Sequence, residues 1–126
     1  MVRIALVEDD LQYRTQLHEY IMQYASRTGE PISVTEFSDG DEIALHYKAD
    51  YDIILMDIEM TFMDGMTAAE EIRQKDRDVV IIFITNSPQY AIKGYAVDAL
   101  DYILKPVSYF AFSQRLERAL SRMRRR

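Results

Sequence analysis

The apolar positions of this chain follow two alternating periods. RIALV (residues 3–7), the run Ile53 to Met56 and VVIIFIT (79–85) are short and almost unbroken. That is the form a strand takes when both of its faces are covered. ISVTEF (32–37) alternates instead and reads as a strand nearer a sheet edge. Residues 99–104 complete a set of five strands, the third of which spans about 52–57 and breaks onto Asp57.

Between the strands, apolar residues recur at spacings of three and four, as on one face of a helix. They are Tyr13, Leu17, Tyr20, Ile21 and Tyr24, then Ile43, Ala44, Leu45 and Tyr47 in a short helix, then Met66, Ala69 and Ile72. The third helix turns Glu70, Glu71, Arg73 and Lys75 to water. Gln89 to Val97 is a weak fourth helix interrupted by Gly94. A fifth carries Tyr109, Phe112, Leu116, Ala119, Leu120 and Met123 on one face and Arg115, Arg118 and Arg122 on another. Asp10 suits the first N-cap and Gly29 its C-terminal end. Ser38-Asp39-Gly40 and Asn86-Ser87-Pro88 are turns.

Strands alternating with helices give an α/β fold, a doubly wound parallel sheet with right-handed crossovers. Ligands bind such sheets outside the carboxyl ends of the strands. The strand-to-helix junctions on that rim hold Glu8-Asp9, Asp57, Thr85-Asn86 and Lys105.

Composition narrows the chemistry. At 126 residues the chain is one domain, and without cysteine it has no disulfide, thiolate metal site or cysteine nucleophile. The N-terminal apolar run is too short for a signal peptide, and no stretch approaches the roughly 20 apolar residues of a membrane helix. A cytoplasmic location is expected, with no membrane partner. The net charge of −6 is uneven: seven Lys or Arg and one Glu from residue 105 onward give +6, leaving −12 on residues 1–104. An acidic body repels nucleic-acid phosphates, so no direct DNA binding is expected of this domain. The terminal Arg122, Arg124, Arg125 and Arg126 read as a solvated helix end running into a linker.

Three acids, a hydroxyl and a lysine thus converge on one rim. Carboxylates this close repel by about 4 kcal/mol per pair at an effective dielectric near 20. A hard cation relieves this, and an all-oxygen set with no histidine suits Mg²⁺. Lys105 and the Thr85 hydroxyl suit phosphoryl oxygens, and Asp57 is placed to attack phosphorus. Each residue has a plainer role when taken alone: Asp10 as a helix cap, Thr85 as a strand-end hydroxyl, Tyr102 as packing, Lys105 as a turn lysine, His18 and His46 as surface histidines.

LVEDD (6–10), MDIEMTFMDGM (56–66), IIFITN (81–86) and DYILKP (101–106) stand in an order and spacing that resembles the receiver domain of two-component response regulators. The stretch 87–120 further resembles receivers joined to LytTR (LytR/AlgR) DNA-binding domains. The resemblance implies a flavodoxin-like (βα)5 fold with strand order 2-1-3-4-5, a receiver domain over residues 1–121 and the start of a basic linker at 122–126. It implies Asp57 as phosphoacceptor and Glu8, Asp9, Asp57 and the Glu59 backbone carbonyl as ligands of Mg²⁺, or Mn²⁺ in its place. It also implies Lys105 as the phosphoryl-binding lysine, Thr85 and Tyr102 as switch residues, and a cis Lys105-Pro106 bond. The implied partners are a sensor histidine kinase and a second copy, joined on phosphorylation through the fourth helix, fifth strand and fifth helix. Tyr90, Tyr95 and Tyr109 are the expected aromatic anchors of that face, with Arg115, Arg118 and Arg122 meeting Asp98 and Asp101 of the second copy. Such a domain is regulatory, catalysing only its own phosphorylation and dephosphorylation, and acts on transcription through an output domain outside this chain.

Three positions depart from the family pattern. Glu8 stands where Asp is frequent, Thr61 replaces a proline and predicts a looser acceptor loop, and Asn86 replaces a small residue beside Thr85. Glu59 and Ser87 flank the site where the lifetime of the aspartyl-phosphate is tuned. Two other readings remain at this point. One is a haloacid-dehalogenase-type phosphatase, loosely suggested by Asp57-Ile58-Glu59-Met60-Thr61. The other is a flavodoxin-like cofactor binder, against which Glu8-Asp9-Asp10 would set negative charge where a phosphate belongs.

Overall fold

The computed structural model describes residues 1–125; Arg126, the end of the basic run, lies outside them. Five parallel strands form one sheet in the order β2-β1-β3-β4-β5: β1 (Val2–Val7), β2 (Ile32–Phe37), β3 (Ile53–Met56), β4 (Val80–Thr85) and β5 (Asp101–Leu104). Among the described residues there are four α-helices, three of them between strands and the last after β5: α1 (Leu11–Thr28), α2 (Gly40–Ala44), α3 (Gly65–Lys75) and α4 (Tyr109–Arg124). The doubly wound sheet and its strand order are those expected.

The unbroken apolar runs are the central strands, where every residue of β3 and β4 is buried. Alternate side chains serve opposite cores. Ile53 and Leu55 pack with Leu17, Ile21, Phe112 and Leu116 under α1 and α4. Ile54 and Met56 pack with Ile43, Ala69 and Ile72 under α2 and α3. The alternating β2 lies at an edge, half-buried, as its pattern predicts.

Asp10 and Gly29 bound α1. The Asp10 carboxylate accepts from the Gln12 N–H, and Gly29, at φ 76°, returns its N–H to the Ala25 carbonyl. The Lys105-Pro106 bond is cis. α4 continues through Arg124 with Arg122 and Arg124 in its last turn, so residues 122–124 are helical.

Three local expectations are corrected, and two further observations bear on the expected dimer face. α2 stops at Ala44: Leu45 is exposed, while Tyr47 turns inward beyond the helix and donates to Asp76 at 2.7 Å. The fourth helix is two 3-10 segments, Pro88–Tyr90 and Ile92–Val97. Gly94 weakens an α-helix there, and the backbone closes the tighter i→i+3 bonds of Ala91 to Pro88 and Gly94 to Ala91. Arg73 does not face water. Its guanidinium donates to the carbonyls of Val97 (2.6 Å), Val79 (2.7 Å), Asp98 (3.1 Å) and Asp76 (3.3 Å), tying α3 to the second 3-10 segment. Arg115 and Arg118 pair within the chain, with Asp101 at 2.7 and 3.7 Å. Of the expected anchors only Tyr95 is fully outside; Tyr109 packs edge-on to Tyr20 at 5.6 Å and Tyr90 lies against the second core.

Candidate functional site

Backbone pairing continues one residue past the strand ends and fixes the rim. The Glu8 N–H donates to the Phe37 carbonyl, that of Asp57 to Val7 and that of Lys105 to Thr85, at 3.0, 3.0 and 2.9 Å. Three charged side chains are thereby held over the sheet. Glu8 is 1% and Asp57 7% exposed, and the Lys105 side chain 2%, whereas Asp9 is open to solvent.

The Lys105 Nζ bridges the two buried carboxylates, 2.5 Å from Glu8 Oε1 and 3.0 Å from Asp57 Oδ2. The remaining oxygens are engaged by backbone: Asp57 Oδ1 accepts from Ile58 N–H at 2.7 Å and Glu8 Oε2 from Asp10 N–H at 3.1 Å. Glu8, Asp9 and Asp57 each bring one oxygen within 4.8 Å of the others. A cavity of about 240 Å³ opens over them, with Tyr13, Glu59, Thr85 and Asn86 in its wall.

Two carboxylates sharing one ammonium leave an excess of buried negative charge. Burial pushes the Glu8 carboxyl up to about 7; the neighbouring Asp57 charge adds to this, and the Lys105 bond opposes it. At Lys105, burial disfavours the ammonium, but its bonds to Glu8 and Asp57 outweigh that and hold it above its ordinary value. The cluster therefore favours an added positive charge. Its donors are oxygens and the aperture is open on the Asp9 side, which fits a hard divalent ion that keeps some of its water.

Thr85 is fully buried, and its Oγ1 accepts from the Ser87 N–H at 3.2 Å. Tyr102, half-buried beside Phe83, donates its hydroxyl to the Ser87 carbonyl and so touches the turn that follows Thr85. Glu8, Asp9, Asp57, Glu59, Thr85 and Lys105 all reach one cavity, while Tyr102 stands behind it.

Three contributors were not singled out from the sequence. Tyr13, read as an apolar helix position, lays its ring under the Lys105 ammonium. Arg14 donates to the Glu8 carbonyl at 2.7 Å. Asp39, read as part of a turn, bonds the loop that follows Asp57. The first two lie three and four residues past Asp10 in the first turn of α1, a position beside the rim that helical periodicity alone registers as core or surface.

A family model for the response regulator receiver domain matches residues 4–117. The chain belongs to that family. It is a regulatory phosphoacceptor module of two-component signalling, and the phosphatase and cofactor-binder readings lose their support. The receiver is 28% identical over 120 residues to the sensory transduction protein LytT of Bacillus subtilis, covering 94% of this chain and 48% of LytT. It is 35% identical over 112 residues to the transcriptional regulatory protein NatR of the same organism, covering 88% and 46%. LytR proteins of Staphylococcus saprophyticus and Streptococcus agalactiae are also similar, at 30% and 25% identity, in keeping with the LytTR resemblance. The chain spans about half the length of the curated relatives it matches.

Among solved structures, the receiver resembles the response regulatory domain of protein mrkE from Klebsiella pneumoniae. The TM-score is 0.84 at 26% identity, covering 99% of this chain and 100% of that one. It also resembles the response regulator TrrA of Thermotoga maritima in complex with Mg²⁺-BeF, with a TM-score of 0.79 at 28% identity, covering 94% and 99%. A third is a sensor histidine kinase receiver of Pseudomonas aeruginosa with magnesium in its active-site cleft, with a TM-score of 0.81 at 26% identity, covering 95% and 98%.

Proposed function

We propose that this receiver accepts a phosphoryl group on Asp57 from the phosphohistidine of a sensor kinase. The N–P bond breaks as an Asp57 oxygen bonds to phosphorus, and the electron pair returns to the imidazole. Glu8, Asp9, Asp57 and the Glu59 carbonyl would hold Mg²⁺, or Mn²⁺ in its place. When held there, the cation would neutralise the carboxylates and offset charge on the phosphoryl oxygens. Lys105 exchanges its Glu8 contact for one phosphoryl oxygen, and Thr85 turns its hydroxyl to another. The same groups serve hydrolysis of the aspartyl-phosphate, so the receiver catalyses its own labelling and unlabelling.

The observation that carries this reading is the buried Lys105 ammonium shared by Asp57 and Glu8 at the rim of β1, β3 and β5. The TrrA structure with Mg²⁺-BeF and the magnesium-bound kinase receiver support the choice of ion. Intact mass after acetyl phosphate and Mg²⁺ tests it. One phosphoryl mass is expected, lost in Asp57→Asn and lost on chelation; a gain that survives either change refutes the assignment.

Output follows from the second half of the sheet. Movement of Thr85 draws on the turn at Ser87, and Tyr102 follows because its hydroxyl is bonded there. The 3-10 segments, β5 and α4 are then remodelled into a surface for a second copy. Residues 1–121 form the switch and 122–126 lead toward an output domain in a longer, cytoplasmic protein that acts on transcription.

A further inference from the structure

The loop from Glu59 to Asp64 has little to hold it from outside. Thr61 stands exposed where a proline would stiffen it, and Phe62 is 80% exposed. Its order comes from beneath. Asp39 is only 4% exposed and directly precedes α2, yet its carboxylate closes no full cap bond there and has only weaker attraction to the Gly40 and Asp41 amides. It reaches into the next crossover instead: Oδ2 accepts from Phe62 N–H at 3.0 Å and Oδ1 from Met63 N–H at 2.8 Å. A Cβ on Gly40 would collide with the Met63 carbonyl, so the start of α2 and the loop meet backbone to backbone. At the other end Gly65 N–H donates to the Ile58 carbonyl at 2.8 Å, and a Cβ on Gly65 would strike the Asp57 carbonyl.

We propose that Asp39 is a positioning residue for the divalent-ion site: by clamping the Phe62 and Met63 amides it sets where the Glu59 carbonyl points. Glu59 lies between the two anchored ends, at Ile58 and at Phe62. A carboxylate suits the task because two adjacent N–H groups need two acceptor atoms, and one ionised side chain offers both. Burial works against its charge, but the backbone N–H groups, those of Phe62 and Met63 foremost, outweigh it and hold its carboxyl below the ordinary value. An asparagine can satisfy only one of the two amides and turns a donor toward the other. The inference rests on the proposed role of the Glu59 carbonyl, and it gives Asp39 no contact with the ion or the phosphoryl group.

Calorimetric titration with Mg²⁺ on wild type and Asp39→Asn tests it. Groups that orient a metal's ligands typically contribute about 10- to 100-fold in affinity, so a Kd at least about tenfold weaker is expected. Labelling of Asp39→Asn by acetyl phosphate should recover toward the wild-type rate at saturating Mg²⁺, because a filled site holds the loop. A variant that melts earlier but binds Mg²⁺ as wild type does shows a merely structural role and overturns the proposal. Wild type that takes up no Mg²⁺ overturns the underlying site as well, which separates the two failures. A second measurement needs no variant: amide hydrogen exchange should find Phe62 and Met63 protected beside a fast Thr61. Exchange at 62 and 63 as fast as at 61 refutes the clamp.

Discussion

The Lys105 ammonium lies 4.2 Å from the centroid of the Tyr13 ring. The ring covers a side of Nζ away from Glu8 and Asp57, and it helps leave the lysine side chain only 2% exposed. A cation on an aromatic face is worth about 0.5–1 kcal/mol when exposed and about 2 when desolvated. Tyr13→Leu should therefore cost about 1–2 kcal/mol in urea unfolding, and Tyr13→Phe much less, since the face is kept. Equal losses in the two variants would mean that the hydroxyl or simple packing matters instead.

Removing the lysine should separate two roles of the site. Lys105→Ala leaves Glu8 and Asp57 facing each other without their shared cation. Breaking a buried pair of this kind costs about 3–5 kcal/mol, so the metal-free variant should unfold early. Mg²⁺ should then bind at least as tightly as in wild type and recover much of the lost stability, because the ligand oxygens gain a cation and lose a competitor. Calorimetry and thermal melts with and without Mg²⁺ read both effects; a variant that binds Mg²⁺ more weakly contradicts this account.

Asp39 also carries a pH signature. Its folded-state value lies below the unfolded one, so its contribution is present above the ordinary carboxylate range and is lost as pH falls through the lower folded value. Between these two values wild type should lose stability more steeply than Asp39→Asn, which has no proton to take up there. Urea titrations in steps from pH 5 downward, without divalent ions, compare the slopes; parallel curves would place the acid sensitivity elsewhere.

Arg73 is the tether of the second 3-10 segment. Four carbonyls on three stretches of chain share its guanidinium, and a lysine ammonium cannot span them. Arg73→Lys should lower stability by about 2 kcal/mol, the scale of charged hydrogen bonds lost from a half-buried site. It should also raise hydrogen exchange at Gly94 and Ala99, whose amides lie in or beside that segment. Unchanged exchange there would show that the segment is held by packing alone.

Dimerisation should be coupled to the phosphoryl group. Ile92 and Tyr95 stand exposed on the second 3-10 segment, and Asp101, which lines the same groove, is already paired with Arg115 and Arg118 of α4. A second copy must therefore exchange internal pairs for external ones, which favours a weak dimer strengthened by about 1–3 kcal/mol when the switch turns. Sedimentation with Mg²⁺ and beryllofluoride should show the shift and Tyr95→Ala should reduce it. A monomer under both conditions at tens of micromolar would contradict the coupling.

Much of the site was legible because its residues occupy strand ends, and strand ends announce themselves. An apolar run that stops on Asp57, or on Glu8, marks both an element and its rim. Lys105 is equally plain after Asp101 to Leu104. Arg73 was not, because a helical pattern assigns directions to Cα–Cβ bonds, whereas a long side chain can curl back over its own helix end. Asp39 was hidden by its spelling: Ser-Asp-Gly before a helix reads as a turn, and only the tertiary approach of residues 62 and 63 gives the carboxylate its partners. The 3-10 path of residues 88–97 escaped for a related reason, since Arg73 reaching over from α3 holds a backbone that local propensity leaves nearly undecided.

The bridge between Lys105 and Asp57 spans 48 residues of sequence, and that between Lys105 and Glu8 spans 97. Synthesis from the N-terminus therefore delivers the carboxylates well before their counter-charge. A nascent chain that has laid β3 against β1 already holds Glu8, Asp9 and Asp57 together, with β5 and its lysine still unmade. Until then the half-built sheet carries its own electrostatic objection to closing, and a dication from the surroundings is the substitute within reach. Maturation on the ribosome should thus depend on Mg²⁺ most in the interval between the third strand and the fifth.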